Sequence, residues 1–301
     1  MEKLITLQLT MFLLMLVGLF LRKKEIITAE GKRCMTDLVI NVILPANIIK
    51  SFMIEFNSTI FMNFLSILLI SIGIQVICTF LSNVMYKRES TPRRKVLQYG
   101  IVCSNAGFLG NPIAEGVFGS MGLSLASVYL IPMRIVMWSA GVSFFTESPD
   151  KKTLFKKVAT HPCIVAVFIG IVLMLTQLTL PGFVTSTIGA LSNCNTAMSM
   201  LVIGTILAEV DVRTMIDKTL ISYCGLRLIL LPAIVFAACS ILPVDSMVKG
   251  VATLLTAMPA GATTAILAAK YDGDAPFATK CVVISTALSL ITTFLWSLVL
   301  L

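Results

Sequence analysis

A single histidine, His161, stands in the 301 residues, charged residues make up only 13% of them, and acidic residues number 15. Each shortage closes off a class of activity. A membrane zinc protease needs H-E-x-x-H on one helix, which one histidine cannot supply. An intramembrane aspartyl protease needs two aspartates on facing helices, whereas Asp272 and Asp274 share one loop. A lipid-linked transferase that holds Mg²⁺ wants clustered carboxylates inside an apolar segment, and no apolar segment here contains such a cluster. There is no G-x-x-x-x-G-K-[ST] loop to cradle nucleotide phosphates, so this chain alone does not drive transport with ATP. The eight cysteines fall singly, mostly within apolar runs and without a C-x-x-C pair, as small packing residues rather than metal or redox ligands. No cofactor is expected, and the chain is not expected to be an enzyme.

What is abundant is apolar surface: 57% of residues are hydrophobic and the mean hydropathy is +0.96. That composition belongs to an integral membrane protein. Apolar runs long enough to cross a bilayer recur ten times, near 4–21, 33–54, 60–85, 95–118, 121–146, 159–178, 184–208, 217–241, 246–270 and 277–300. The first is too long for a signal peptide, lacks a small-residue cleavage pattern and is followed by Arg22, Lys23 and Lys24. The polar connection from Glu147, with Lys151, Lys152, Lys156 and Lys157, divides the chain into blocks of five spans, 1–146 and 159–301, joined by 147–158. Of the basic residues in the connections, eighteen lie on one side and only Lys3, Lys50 and Lys249 on the other. This asymmetry predicts both termini outside and the central loop in the cytoplasm. Asn57-Ser58-Thr59 then falls in an outside loop. The net charge of +8 is thereby a topology signal, and no nucleic-acid surface is expected.

Five spans per block make the second block enter from the opposite side, so the two are predicted to be inverted repeats. The fourth span meets Gly107, Gly110, Asn111 and Pro112; its counterpart, the ninth, meets Pro259 and Gly261. Both are predicted to break there, at Pro112 and Pro259. Freed backbone groups at membrane depth are tolerated only beside packed protein or a water-filled cavity, so paired breaks point to a binding site.

The segments N-x-G-F-x-G-x-P-I at Asn105 to Ile113, N-V-I-L-P-A at Asn41 to Ala46, H-P-C-I-V at His161, and V-V-I-S-T-A-L-S-L-I-T near the C-terminus resemble the auxin efflux carrier family, whose plant members are the PIN proteins. The resemblance implies an all-α fold of ten transmembrane helices in two inverted five-helix repeats, with broken helices 4 and 9 crossing near the membrane centre. It also implies a scaffold of spans one, two, six and seven, a moving transport domain from the other six, and a homodimer through spans 2 and 7. Bacterial members look like carriers of small organic acids such as malate or malonate. The short central loop departs from the plant pattern and argues for a bacterial-type member in an inner, or plasma, membrane.

Several polar residues inside the apolar runs are candidates for binding. Asn111, Pro112 and Ile113 start one half-helix, Pro259, Ala260 and Gly261 the other, and helix N-termini favour an anion; Asn105 is a further substrate-binding candidate. Arg134 in span five and Arg227 in span eight could each fork onto a carboxylate. Alternatively, Arg227 snorkels to the interface and Arg134 forms an ion pair with Glu115. Glu115 and Asp37 are the candidates for proton or ion coupling. Asp37, Asn41 and Pro45 share a helical face, a stripe that lines a cavity or bonds a neighbouring helix; Asn193, Asn195 and Thr196 leave the same choice. His161, just before Pro162, suits a helix start. These residues predict a secondary, alternating-access transporter of small organic anions, and the resemblance implies that these are acids such as malate, malonate or auxin-like carboxylates. The alternative is a channel or a transporter-derived sensor of the same fold.

Overall fold

The computed structural model describes residues 2–145, 151–208, 217–271 and 273–300, and among these every regular element is helical. In chain order we number α1 (Glu2–Lys23), α2 (Ala29–Ser51), α3 (Ser58–Val84), α4 (Thr91–Val102), α5 (106–118), α6 (120–141), α7 (Lys151–Ala159), α8 (Pro162–Thr176), α9 (Gly182–Leu207), α10 (Lys218–Ile241), α11 (Ser246–Thr256), α12 (Thr263–Lys270) and α13 (Ala275–Leu300). Glu147, Arg213 and Asp272 lie outside the described residues. Among the described residues seven helical runs, one of them Ala106–Gly141 across the kink at Gly119, are long and apolar enough to cross a membrane. Two predicted spans consist instead of short pairs, α4 with α5 and α11 with α12, and α8 is a 15-residue helix.

The core is apolar, as in a water-soluble domain, but the exterior is apolar as well and small hydroxyls are buried among the helices. Ser71, Ser124, Ser199, Thr253, Ser285, Ser289 and Thr293 are buried, while Leu13, Phe20, Phe61, Leu69, Phe80, Phe168 and Ile291 face outward. In a bilayer the lipid takes up the apolar exterior and small hydroxyls let helices approach closely. Several of these hydroxyls donate to carbonyls of their own helix, as Thr253 Oγ1 does to Lys249 O (2.8 Å) and Ser289 Oγ to Thr286 O (2.7 Å).

Three of the prolines are accommodated by π turns. Pro45, Pro112 and Pro232 each occupy the second position of a helix that follows a π-helical turn: Val39–Ile43, Ala106–Gly110 and Leu226–Leu230 respectively. The extra residue in the turn shifts the carbonyl that the proline ring would otherwise strike, so the helix continues. The chain reverses at Gly119, whose φ of 68° and ψ of −161° separate α5 from α6. Gly122 consequently packs on the carbonyl of Ala114, eight residues earlier. A side chain at Gly119 would be strained by that positive φ.

Two groups of helices emerge from the packing. α1 lies along the second half of α9, and α2 packs on α8 and on the first half of α9. α3, α4, α6, α10, α11, α12 and α13 pack mainly on one another. In the first group a Cβ on Gly18 would collide with the backbone of Leu201, and one on Gly204 with the backbone of Met15. Gly204→Val should therefore force α1 and α9 apart and lower stability by about 2–3 kcal/mol, read as a lower melting temperature in detergent; unchanged melting would contradict this packing. In the second group Arg93 bridges Asp217 (2.6 Å) and Asp274 (3.3 Å) and lies 4.5 Å from the centre of the Phe277 ring. The Thr219 N–H, and then Arg93, hold the Asp217 carboxyl below the usual carboxylate range. The bracket ties the starts of α4, α10 and α13 together.

Candidate functional site

The two interrupted helices meet backbone to backbone. α4 ends at Val102, Cys103 is extended (φ −115°, ψ 110°), and helix resumes at Ala106. The first interruption is thus Cys103–Ser104–Asn105. This corrects the expectation of a break at Pro112, which the preceding π turn absorbs. The second interruption does contain Pro259, between Thr256 and Thr263. Ser104 and Ala260 form an antiparallel bridge, the Asn105 N–H donates to Pro259 O (2.8 Å), and the Gly261 N–H faces Cys103 O (3.5 Å). Ser285 Oγ accepts the Ala260 N–H (3.1 Å), and Tyr99 Oη donates to Thr263 Oγ1 (3.1 Å). Each interruption satisfies backbone groups of the other, as a low-dielectric setting demands. A Cβ on Gly261 would sit 3.3 Å from Ser104 O, so this close approach favours glycine.

On the side where α4 and α11 end, the exposed groups are carbonyls. Arg227 donates from Nε to Met258 O (3.1 Å) and from Nη1 to Ile101 O (3.0 Å), and Tyr223 Oη donates to Gly100 O (2.9 Å). The four-residue spacing puts both donors on one face of α10. Arg227, 3% exposed, is therefore a brace across the negative ends of two helices. Its guanidinium is thus turned to backbone carbonyls rather than to an interface, and it borders neither of the two cavities that Asn105 lines.

On the opposite side of the crossing lies a cavity of about 120 Å³, bounded by Ser104, Asn105, Gly107, Phe108, Gly261, Ala262 and Thr263, by Ile40 and Leu44 of α2, and by Met133, Arg134 and Met137 of α6. Arg134 is 5% exposed, and its Nη1 has no hydrogen-bond partner. A second cavity, about 160 Å³, shares Asn105, Phe108 and Ala262 with the first; Lys32, Thr36 and Thr279 are its other polar lining residues. A buried guanidinium with an unmet donor costs several kcal/mol unless an anion or water joins it. Three predicted residues, Asn105, Arg134 and Gly261, thus converge on one space.

The remaining candidates are placed elsewhere. Glu115 accepts from Asn47 Nδ2 (3.1 Å), and Asn47 Oδ1 accepts from Ser192 Oγ (2.6 Å). It is not the partner of Arg134: at 1.5 Å per helical residue on either side of Gly119, the two differ in depth by roughly 16 Å. Asp37 and Asn41 are exposed on α2, with Asn41 Nδ2 donating to Asp37 O (2.8 Å), so neither lines the cavities. Asn111 is buried with both amide atoms unpartnered, and Asn195 accepts from Ser199 Oγ (3.3 Å); neither borders either cavity. Pro112 is buried in the first turn of a helix, and Pro259 contributes its carbonyl to the crossing. His161 Nδ1 accepts the Cys163 N–H (3.3 Å), a helix-start bond. Sequence reasoning missed Asn47, Ser192, Ser104 and Thr263. Asn47 carried the same signal as Asn41, an amide in an apolar run.

Comparison with known proteins places this geometry in context. Residues 4–297 match the profile of a family described as membrane transport protein. An uncharacterized transporter of Methanothermobacter thermautotrophicus is 27% identical over 299 residues, covering 97% of both chains. An uncharacterized transporter of Methanocaldococcus jannaschii is 23% identical over 304 residues, again 97% of both.

Proposed function

The chain belongs to the membrane transport protein family, the auxin efflux carrier family that its motifs resemble, and on that premise we propose that it is a secondary carrier of small organic anions whose substrate binds at the helix crossing. One observation carries this reading: the buried Arg134, with an unmet donor, faces a cavity walled by the interrupted backbones of α4–α5 and α11–α12. A carboxylate entering the cavity would meet a guanidinium fork and the positive ends of α5 and α12. With Arg227 engaged by carbonyls, this cavity offers one buried arginine, which suits one carboxylate group at the crossing and leaves the rest of the substrate to the apolar walls of the neighbouring cavity.

In this reading α4 with α5, and α11 with α12, each cross the membrane once, giving ten spans in two opposed blocks, 1–146 and 159–301. α1, α2, α8 and α9 form a frame and the others carry the crossing. Both termini lie outside. The first half of α9 has a single buried residue, Ser192, and together with the exposed Leu38 and Val42 of α2 it offers the face for a second copy.

Access alternates by breaking and remaking contacts between the frame and the moving group. The larger cavity is lined by Lys32 and adjoins the one beside Arg134 through Asn105, Phe108 and Ala262. At the other end two hydrogen bonds hold the groups together, Asn47 Nδ2 to Glu115 and Ser124 Oγ to Ser51 O (2.5 Å), while Ser192 Oγ steadies Asn47 from within the frame. Asn47→Ala should loosen this end. A cysteine in place of Ser51, in a background free of other cysteines, should then react several-fold faster with an impermeant maleimide; an unchanged rate would remove Asn47 from the closure.

Counterflow tests the function. Proteoliposomes loaded with a panel of unlabelled mono- and dicarboxylates, without sodium and at equal pH on both sides, should transiently accumulate trace labelled acid. Absence of accumulation for every acid, with sodium or a pH step added as well, would contradict the carrier reading.

A further inference from the structure

α7 joins the two blocks, and the transport reading gives it no role. Its sequence, KKTLFKKVA, holds four lysines and no acidic residue in nine positions. Besides Thr153, the side chains of Lys152, Phe155 and Lys156 are exposed, Phe155 at 74%. At 100° per residue these three span an arc of about 100°, so an aromatic ring and two ammonium groups share one face. On a helix bathed in water, the apolar ring would be turned toward the protein. Here the protein-facing contacts go instead to the end of α6 and the start of α8, so α7 sits at the level where membrane helices begin and end.

We propose that α7 is an interfacial anchor that binds the anionic phospholipid surface on the lysine-rich side of the membrane. Phe155 enters the boundary between headgroups and acyl chains, and the stems of Lys152 and Lys156 follow it while their ammonium groups reach lipid phosphates. Uniform positive charge makes the partner anionic rather than zwitterionic, each lysine near such a surface multiplying partition about fivefold. Because α7 leads from the moving group to the frame, its attachment would fix the connecting segment to the leaflet while the crossing moves. The proposal rests on the membrane placement of α6 and α8, and stands whether or not the chain is a carrier.

Chymotrypsin cleavage after Phe155 reads the anchor directly in the full-length protein. In nanodiscs of phosphatidylglycerol, cleavage should be about 25-fold slower than in phosphatidylcholine, two lysines contributing together. High salt, or the surface variant K152Q/K156Q, should remove that difference. Equal cleavage in both lipids, rapid or slow, would overturn the assignment. If protection is seen, the Phe155→Trp variant, with Trp138 and Trp296 changed to Phe, should show an indole emission quenched by brominated phospholipids. Protection without quenching would mean that protein, a second copy included, covers the helix, and would equally overturn it.

Discussion

Arg134→Gln is expected to abolish organic-anion exchange, by roughly 100-fold or more, in a protein that still folds and inserts. Glutamine keeps much of the volume but cannot offer a charged fork to a carboxylate. Arg134→Lys should recover only part of the activity, since an ammonium on a flexible stem cannot form the paired hydrogen bonds. The substitution should not lower thermal stability, because it removes a buried charge whose Nη1 has no partner. Loss of transport without loss of stability separates a binding role from a structural one. Exchange at the wild-type rate would remove Arg134 from the site.

Arg227→Gln should behave in the opposite way. It strips donors from Ile101 O and Met258 O at the point where two helices end in a buried setting. Two unsatisfied carbonyls, with loss of the charge that offsets both helix ends, are expected to cost about 2–5 kcal/mol. A sharp fall in melting temperature and in yield after detergent extraction should follow. Arg227→Lys, able to keep one of the two bonds, should fall between. Wild-type melting in the glutamine variant would mean that the crossing does not depend on this brace.

The contrast between these arginines marks where sequence reasoning stops. Both lie in apolar runs near a proline, Arg134 beside Pro132 and Arg227 before Pro232, and the local signals do not distinguish them. Only the third dimension brings carbonyls 101 and 258 to Arg227 and leaves Arg134 beside a cavity. The membrane character was legible because it is a property of composition, and the interruption at Pro259 because helix-breaking residues cluster there. The first interruption was misplaced by several residues for a physical reason. Proline is harmless after a π turn, whereas Cys103–Asn105 leaves helical geometry to pair with Pro259 and Gly261, a demand set more than 150 residues away. The outward stripe of Asp37 and Asn41 has a related cause. Asn41 Nδ2 bonds Asp37 O and the two keep one face, as the spacing predicts, but which way that face turns is set by the helices packed on α2, a demand that spacing does not carry.

The account turns on an anion held at the crossing by Arg134, and the most direct measurement is equilibrium binding. An acid that gives counterflow with the wild-type protein would be used as a labelled ligand, with wild type, Arg134→Gln and Arg134→Lys purified in the same detergent. The predicted result is saturable binding to wild type, weaker binding to the lysine variant, and none above background to the glutamine variant, although that variant melts no lower than wild type. Equal affinity for wild type and the glutamine variant would contradict the account, and would move the substrate away from the helix crossing.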